Sequence, residues 1–241
     1  MSRALLVALA LAASPPALAQ FQQPGGGQSP RWGSVDIGFG QYMPNIDSEF
    51  SKKPGPYELM FGKKPGWMFT ATVSYSLFVR YGTLDVGFKS GYFEKSGAGI
   101  IQDPTSPTGF SRAGANSSLK IVPTSAVLTY RFDWPVERYH IPVAPYVRAA
   151  FERYNWWITR GTGGTVEKGA TMGWTAAGGL AFLLDALDPQ LAREFDHESG
   201  VNHTYLFAEA VTGKIDDFGS SKSWDLSPKG FTWLAGLTLV F

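Results

Sequence analysis

The sequence of 241 residues contains no cysteine. Disulfide frameworks, thiolate metal sites, thiol nucleophiles and acylated lipoprotein cysteines are therefore excluded. Charge is also scarce, because only 17% of the residues are charged and 21 basic residues almost balance 20 acidic ones. A chain without a basic excess lacks the electrostatic footprint of a nucleic-acid-binding protein. We therefore expect no nucleic acid among its partners.

Long apolar runs are missing from residue 20 onwards, where none reaches ten residues. A helical membrane span needs about twenty such residues, so none is predicted. The earlier apolar run, residues 4–13, follows Arg3 and is succeeded by two prolines and by Ala17-Leu18-Ala19. This order is typical of a secretory signal peptide. We predict a cleaved signal at residues 1–19 and a flexible leader at residues 20–31.

The rest of the chain alternates apolar and polar residues, which is the period of a half-buried β-strand. The clearest segments begin at Trp67, at Leu84 and at Phe231. We predict eight strands, at about residues 32–43, 67–79, 83–95, 119–133, 141–157, 171–185, 203–212 and 231–241. Most of them are longer than the five or six residues usual in soluble sheets, and their length suits a tilted strand in a bilayer.

Aromatic residues gather near both ends of the predicted strands, as in the two girdles of a transmembrane barrel. One group contains Trp67, Tyr92, Trp156, Trp157, Trp174 and Trp233, and the other Trp32, Tyr75, Tyr130, Phe132, Trp134 and Phe241. Long outer loops are predicted at 44–66, 96–118, 158–170 and 213–229, and inner connections at 80–82, 134–140 and 186–202. The last of these contains a predicted short helix at 186–198. A soluble sandwich, which would hide its apolar face on a second sheet, is the alternative.

With its signal peptide, alternating strands and terminal FTWLAGLTLVF, the sequence resembles a bacterial outer-membrane β-barrel over residues 32–241. The resemblance implies an all-β, eight-stranded antiparallel up-and-down transmembrane barrel with a short periplasmic helix. It also implies a place in a Gram-negative outer membrane and contact with membrane lipid and lipopolysaccharide. Phe241 matches the terminal residue that the barrel assembly machinery of that family reads.

Two further stretches, YMPNIDSEF (42–50) and VNHTYLFAE (201–209), resemble small outer-membrane barrels of gliding bacteria. Some members of that group serve in an envelope-spanning complex for gliding motility and adhesion. The resemblance therefore implies that other envelope proteins are partners of this chain.

The inward face of the predicted barrel carries charge. By strand parity it contains Asp36, Asp85, Lys89, Arg148, Glu152 and Glu209, with Arg131 and Asp133 near the inner rim. An eight-stranded barrel is just wide enough for side chains to fill. Since unpaired charges there are costly, we expect each to pair with a charge on a neighbouring strand, with Glu209 or Asp85 as candidates for Arg148 and Lys89 for Glu152. The set forms either a structural plug or a gated polar path.

A short internal repeat stands in the first outer loop, where FSKKPG (50–55) recurs as FGKKPG (61–66). It supplies Lys52, Lys53, Lys63 and Lys64. These lysines could clasp an anionic polysaccharide, but neutralisation of lipopolysaccharide phosphates is the favoured interpretation.

No constellation typical of an enzyme is present. His140, His197 and His203 fall on or beside the inner connections, and Ser199 lies between the last two, whereas lipid-modifying barrel enzymes act at the outer leaflet. No cofactor is expected, because the sequence lacks metal-ligand spacings and nucleotide fingerprints. We predict a non-enzymatic anchor or scaffold of an envelope-spanning complex, with a narrow channel as first alternative and a lipid-modifying enzyme as second.

Overall fold

The structure is a computed structural model that describes residues 30–107, 109–160, 164–220 and 223–241. The predicted signal peptide and residues 20–29 of the predicted leader lie outside the described residues.

Eight antiparallel strands close into one barrel, in which each strand pairs with its neighbours in sequence and β8 pairs with β1. The strands are β1 (Gly33–Tyr42), β2 (Gly66–Val79), β3 (Thr83–Gln102), β4 (Phe110–Arg131), β5 (Val143–Arg160), β6 (Thr165–Leu183), β7 (His203–Ile215) and β8 (Thr232–Val240). This arrangement confirms the predicted eight-stranded antiparallel up-and-down barrel.

The start of β1 and the end of β8 lie at the same end of the barrel, which we call the inner end. There the Trp32 amide donates a hydrogen bond of 2.6 Å to the carbonyl of Phe241. The two rings lie 5.7 Å apart. The opposite end, which carries the connections after β1, β3, β5 and β7, is called the outer end.

The outside of the barrel is apolar. Ile37, Phe69 and Leu237 expose 63%, 60% and 46% of their surface. Along each strand the residues between such positions are buried in the lumen, for example Asp36, Thr72 and Thr238 on β1, β2 and β8. An apolar belt of this kind, with Trp67 and Trp233 at its outer edge, is what a barrel presents to the hydrocarbon core of a bilayer.

Two predicted outer loops are wrong, because most of their residues belong to strands. β3 and β4 extend well past the belt, so their connection is only 103–109 instead of 96–118. Likewise, β5 and β6 are joined by 161–164 instead of 158–170. Outside the lipid both faces of a strand meet water or loops, so the alternation that marks a membrane strand fades. The serines and glycines of these segments then resemble a loop.

Three short helices flank the barrel: α1 (Pro56–Phe61), α2 (Trp134–Tyr139) and α3 (Pro189–Ser199). α3 corresponds to the helix predicted at 186–198, and it begins where the Asp188 side chain accepts hydrogen bonds from the amides of Gln190 and Leu191. The predicted inner connection at 134–140 contains α2. None of the helices in the described part of the chain is long and apolar enough to cross a membrane.

Pro123 lies inside β4, although proline cannot donate a ladder hydrogen bond. The strand tolerates it because the pairing of β4 with β3 is interrupted there, between the pairs Thr124–Ser90 and Ile121–Phe93. The pairing with β5 on the other side continues through Pro123.

Candidate functional site

The structure places the six predicted charged side chains inside the lumen. Asp36, Asp85, Glu152 and Glu209 are each at least 95% buried. The side chains of Lys89 and Arg148 expose 13% and 9% of their surface. These six residues are called the lumen charge network below.

Arg148 on β5 is the centre of the lumen charge network. Its Nη2 lies 2.6 Å from Asp36 Oδ2 on β1, and its Nη1 lies 3.4 Å from Glu209 Oε2 on β7. Its Nε also donates a hydrogen bond of 3.1 Å to Thr129. The same Glu209 oxygen accepts a hydrogen bond of 2.8 Å from the Tyr146 hydroxyl. One guanidinium on β5 therefore contacts side chains of three other strands, β1, β4 and β7.

Glu152, which is fully buried, is satisfied by three partners. Lys89 Nζ lies 2.7 Å from its Oε1, and Thr175 donates to the same oxygen at 2.7 Å. The Ser125 hydroxyl donates to the other oxygen. A buried carboxylate is tolerated when it is paired and hydrogen-bonded in this way.

Two predicted partners are confirmed, since Glu209 lies 3.4 Å from Arg148 and Lys89 lies 2.7 Å from Glu152. Neither pair joins neighbouring strands, so that part of the prediction is wrong. Arg148 on β5 reaches β1 and β7, and Lys89 on β3 reaches over β4 to Glu152. In a barrel this narrow, long side chains meet across the lumen more readily than along its wall. Asp85 does not contact Arg148 but lies 3.8 Å from Arg131 and accepts a hydrogen bond from Ser76.

A second group of charges closes the inner end. Asp133 accepts hydrogen bonds from Thr83 at 2.6 Å and from Arg131 at 3.5 Å. Arg31 lies 3.4 Å from Asp133 and also pairs with Glu137 of α2. The last residue of the predicted leader is thus fixed to the rim by ion pairs.

The lumen charge network leaves little free space. Voids of about 10 Å³ and 30 Å³ lie beside it among the described residues. The smaller has room for one water molecule at most and the larger for about two. Arg148 borders both voids and separates them. Among the described residues, neither of these voids forms an open path past Arg148.

The outer third of the lumen is filled differently, by an apolar cluster that we call the outer cluster. Its members share near-complete burial and come from strands and loops alike: Tyr42, Ile46, Tyr57, Met68, Phe93, Leu119, Ile121, Tyr154, Trp156, Ile215 and Leu226. Trp156 was expected in the outer aromatic girdle, but it points inward and stacks on Trp224 at 4.1 Å and 9°. Strand parity would have shown its facing, whereas no pattern marks Trp224, which lies in a loop.

Loop contacts fasten the outer cluster. Asp225 accepts hydrogen bonds of 2.9 Å from Asn45 and from the Ser227 amide, and its own amide donates to Glu49. Burial alone would raise the pKa of Asp225, but the hydrogen bonds from Ser227 and Asn45 outweigh it and lower the pKa. The Tyr42 hydroxyl donates to the Leu226 carbonyl. The loops after β1 and β7 are thus held together over the mouth.

The basic repeat brackets helix α1. Lys52 and Lys53 precede the helix, Lys63 and Lys64 follow it, and all four are exposed. Lys53 donates to the Asp47 carbonyl, and Lys63 lies 3.3 Å from Glu58. The two copies of the repeat therefore serve different local structures.

The inner end presents an exposed surface next to the closed lumen. Leu187 lies just before α3 and exposes 72% of its surface, and Leu191 and Phe195 within α3 expose 62% and 43%. These three residues are called the α3 stripe below. A cavity of about 620 Å³ lies between α2, α3 and the start of β7. His203 lines it, and its Nδ1 is 2.8 Å from Asp185.

His203 and Ser199 make separate contacts with other groups. His203 is engaged by Asp185, and the Ser199 hydroxyl donates to the Phe195 carbonyl within α3. In the described ranges no group of three or more histidine or carboxylate side chains could hold a metal ion.

Several solved structures are similar to this chain. The outer membrane protein OprG from Pseudomonas aeruginosa matches with a TM-score of 0.50 and 12% identity, covering 90% of this chain and 98% of that chain. Neisserial surface protein A matches with a TM-score of 0.46 and 14% identity over 89% and 99% of the two chains. Ail, the attachment invasion locus protein of Yersinia pestis, solved with the heparin analogue sucrose octasulfate, gives 0.42 and 13% over 87% and 99%. No family model and no curated protein matches the sequence.

The likeness to OprG is a likeness of fold alone. It shows that the described chain has the architecture of a small outer-membrane barrel.

Proposed function

We propose that this protein is a non-enzymatic outer-membrane anchor for an envelope-spanning complex, in gliding motility or adhesion. The observation that carries the proposal is the filled lumen: the charge network leaves voids of only about 10 Å³ and 30 Å³. A barrel that encloses no path is suited to holding position in the membrane while its two ends meet other molecules.

The sequence resemblance to gliding-bacterium barrels supports this role, because its first motif builds the outer mouth. Within residues 42–50, Asn45 and Glu49 contact Asp225, and the Asp47 carboxylate accepts hydrogen bonds from the amides that open α1. The motif is therefore a structural support of the outer loops rather than a reactive site.

The inner end supports contact with a periplasmic partner. The α3 stripe places three apolar side chains in the open beside the cavity of about 620 Å³. Exposed apolar groups that cluster at one place are typical of interaction sites.

Contacts with other envelope components are proposed at both ends of the barrel. The exposed lysines Lys52, Lys53, Lys63 and Lys64 stand at the outer end, where lipopolysaccharide phosphates would meet them. Phe241 closes β8 at the inner end, where the assembly machinery would read it.

Purification from native membranes tests the anchoring role. We expect the intact protein to bring down a defined periplasmic partner, and Leu191→Asp combined with Phe195→Asp to lose it. Gln190→Asp combined with His197→Asp adds the same charges to the polar side of α3 and should retain the partner. Gel mobility with and without boiling shows that each barrel is folded. An unchanged set of partners in the stripe variant would contradict docking at the inner rim.

A narrow channel is the second candidate, and one observation favours it. Arg148 is the side chain that borders both voids, so its displacement would join them. Recordings in planar bilayers distinguish the two functions. The anchor predicts conductance at background, whereas a defined ion current in the parent protein would favour the channel.

A further inference from the structure

The outer mouth contains a cavity of about 340 Å³ that is distinct from the lumen voids. Its walls come from the loop after β1, from α1, from the extended parts of β3 to β6, and from Trp224. This volume falls in the range of small-molecule sites in proteins.

The walls of this mouth cavity are fixed before any ligand arrives. Asp47 accepts hydrogen bonds of 2.7 Å and 2.9 Å from the amides of Tyr57 and Glu58, which holds α1 in place. On the opposite side, Trp224 is stacked on Trp156 at 4.1 Å. A preformed cavity loses less freedom on binding than one that must be ordered by its ligand.

The floor of the mouth cavity is mostly apolar, and the buried side chains with a polar group that line it include Tyr57 and Ser117. Ile46 and Leu119 are almost completely buried there. Tyr57 also lines the cavity and is only 2% exposed, yet among the described residues its hydroxyl has no hydrogen-bond partner. A buried polar group without a hydrogen-bond partner is rare in native proteins, and an unfilled ligand site is one cause of it. A ligand that offers a hydrogen bond to this hydroxyl would supply the missing partner.

The rim of the mouth cavity carries charges of both signs. Arg160 at the end of β5 and Glu167 on β6 line it, and both are exposed. An anionic head group would be attracted by Arg160 but repelled by Glu167. A cationic head group would be attracted by Glu167 but repelled by Arg160. The rim therefore favours a head group that is uncharged overall and that both donates and accepts hydrogen bonds.

We propose that the mouth cavity binds a small amphiphile, with an aliphatic or aromatic body on the apolar floor and a neutral, hydrogen-bonding head group at the rim. This role is independent of the anchoring function, since it concerns the outer end and needs no protein partner. Tyr57 is the specificity-determining residue, because its buried hydroxyl lacks a hydrogen-bond partner among the described residues.

Titration calorimetry on the full barrel in lipid nanodiscs tests the proposal, with hexyl β-D-glucoside as the probe and empty nanodiscs as the blank. We expect saturable binding to one site. Hexanoate and hexylamine, which carry the same chain with an anionic or cationic head, should bind at least threefold more weakly. Partitioning equal to that of empty nanodiscs would overturn the proposal, and equal binding of hexanoate or hexylamine would overturn the assignment of the head group.

Two variants locate the site. Met60→Trp adds bulk to the cavity wall and should weaken binding at least tenfold, whereas Leu59→Trp, on the adjacent residue that does not line the cavity, should bind as the parent does. Equal binding by Met60→Trp would overturn the placement.

Tyr57→Phe decides the question even if Met60→Trp does not fold. Loss of one hydrogen bond should raise the dissociation constant about threefold to tenfold. The thermal midpoint without probe should stay the same or rise, because the lost hydroxyl had no partner. Unchanged affinity would show that Tyr57 does not contact the ligand.

Discussion

The middle and the outer third of the lumen are filled by opposite chemistry. The middle contains ion pairs that cross from strand to strand, with Arg148 bound to Asp36 and Glu209. The outer third contains aromatic and aliphatic side chains, with Trp156 stacked on the loop residue Trp224. Both regions are closed, but the first depends on charge partners and the second on loops that fold back over the mouth.

The difference follows from what surrounds each region. Around the middle, most apolar residues of the strands face lipid, so small, polar and charged residues prevail in the lumen, beside a few aromatic ones such as Tyr146 and Phe207. Above the belt the strands no longer face lipid, and their apolar residues can turn inward. We therefore expect the two regions to respond differently to substitution.

Removal of the central cation should have the largest effect. Arg148→Ala leaves Asp36 and Glu209 without their cation in a closed lumen, and we expect the free energy of unfolding to fall by about 3–5 kcal/mol. Denaturation followed by gel mobility measures the change. Arg153→Ala is the matched control, because Arg153 lies on the same strand but faces outward, and it should change stability by less than about 0.5 kcal/mol. Equal effects of the two would show that the charge network does not hold the middle together.

A charge on the outside of the barrel tests whether the belt lies in lipid. Leu237 is half-exposed in the middle of the apolar face and pairs with Ile37 and Leu206. Leu237→Arg should cost about 2–4 kcal/mol, whereas the cost falls to about 0–1 kcal/mol near the interface. Phe231→Arg, on the same face at the outer edge, supplies that comparison. If refolding into liposomes yields equal stabilities, the belt does not lie across a hydrocarbon core.

The middle of the barrel could be predicted from the sequence, because period two forces the facing of each residue once one side meets lipid. That rule placed Lys89, Arg148 and Glu152 in the lumen. The charge pattern also gave two of their partners, Glu209 for Arg148 and Lys89 for Glu152. It did not give Asp36, since Arg148 and Asp36 meet only when the sheet closes, which no pairing of adjacent strands reveals.

The outer end was far less predictable. The extended ends of β3 to β6 carry no lipid-facing alternation, so their serines and glycines resembled loops. The proposed mouth cavity depends on α1 and on Trp224, which are fixed by tertiary contacts such as the cap from Asp47. No local pattern in the sequence marks either of them.

The smallest expected effect concerns the loop contact that closes the outer cluster. Because the pKa of Asp225 is lowered in the folded protein, its contribution to stability is present above the unfolded value of about 3.9 and is lost as the pH falls through the lower, folded value. Glu49 accepts a hydrogen bond from the Asp225 amide. Its pKa is shifted in the direction opposite to that of Asp225, because burial raises it. As the pH falls, Glu49 should therefore be protonated before Asp225, and its protonation should remove the free-energy cost of burying a charged carboxylate.

Amide hydrogen exchange of residues 223–231, corrected for its intrinsic pH dependence, measures this loop contact. In the parent protein we expect protection to hold from neutral pH to about pH 4 and then to decline. Asp225→Asn should show weaker protection, because asparagine has one side-chain oxygen to accept a hydrogen bond where the carboxylate has two. Its protection should no longer depend on pH in this range, because asparagine does not titrate. Glu49→Gln should leave the decline below pH 4 in place. If the decline persists in Asp225→Asn, another group closes the mouth.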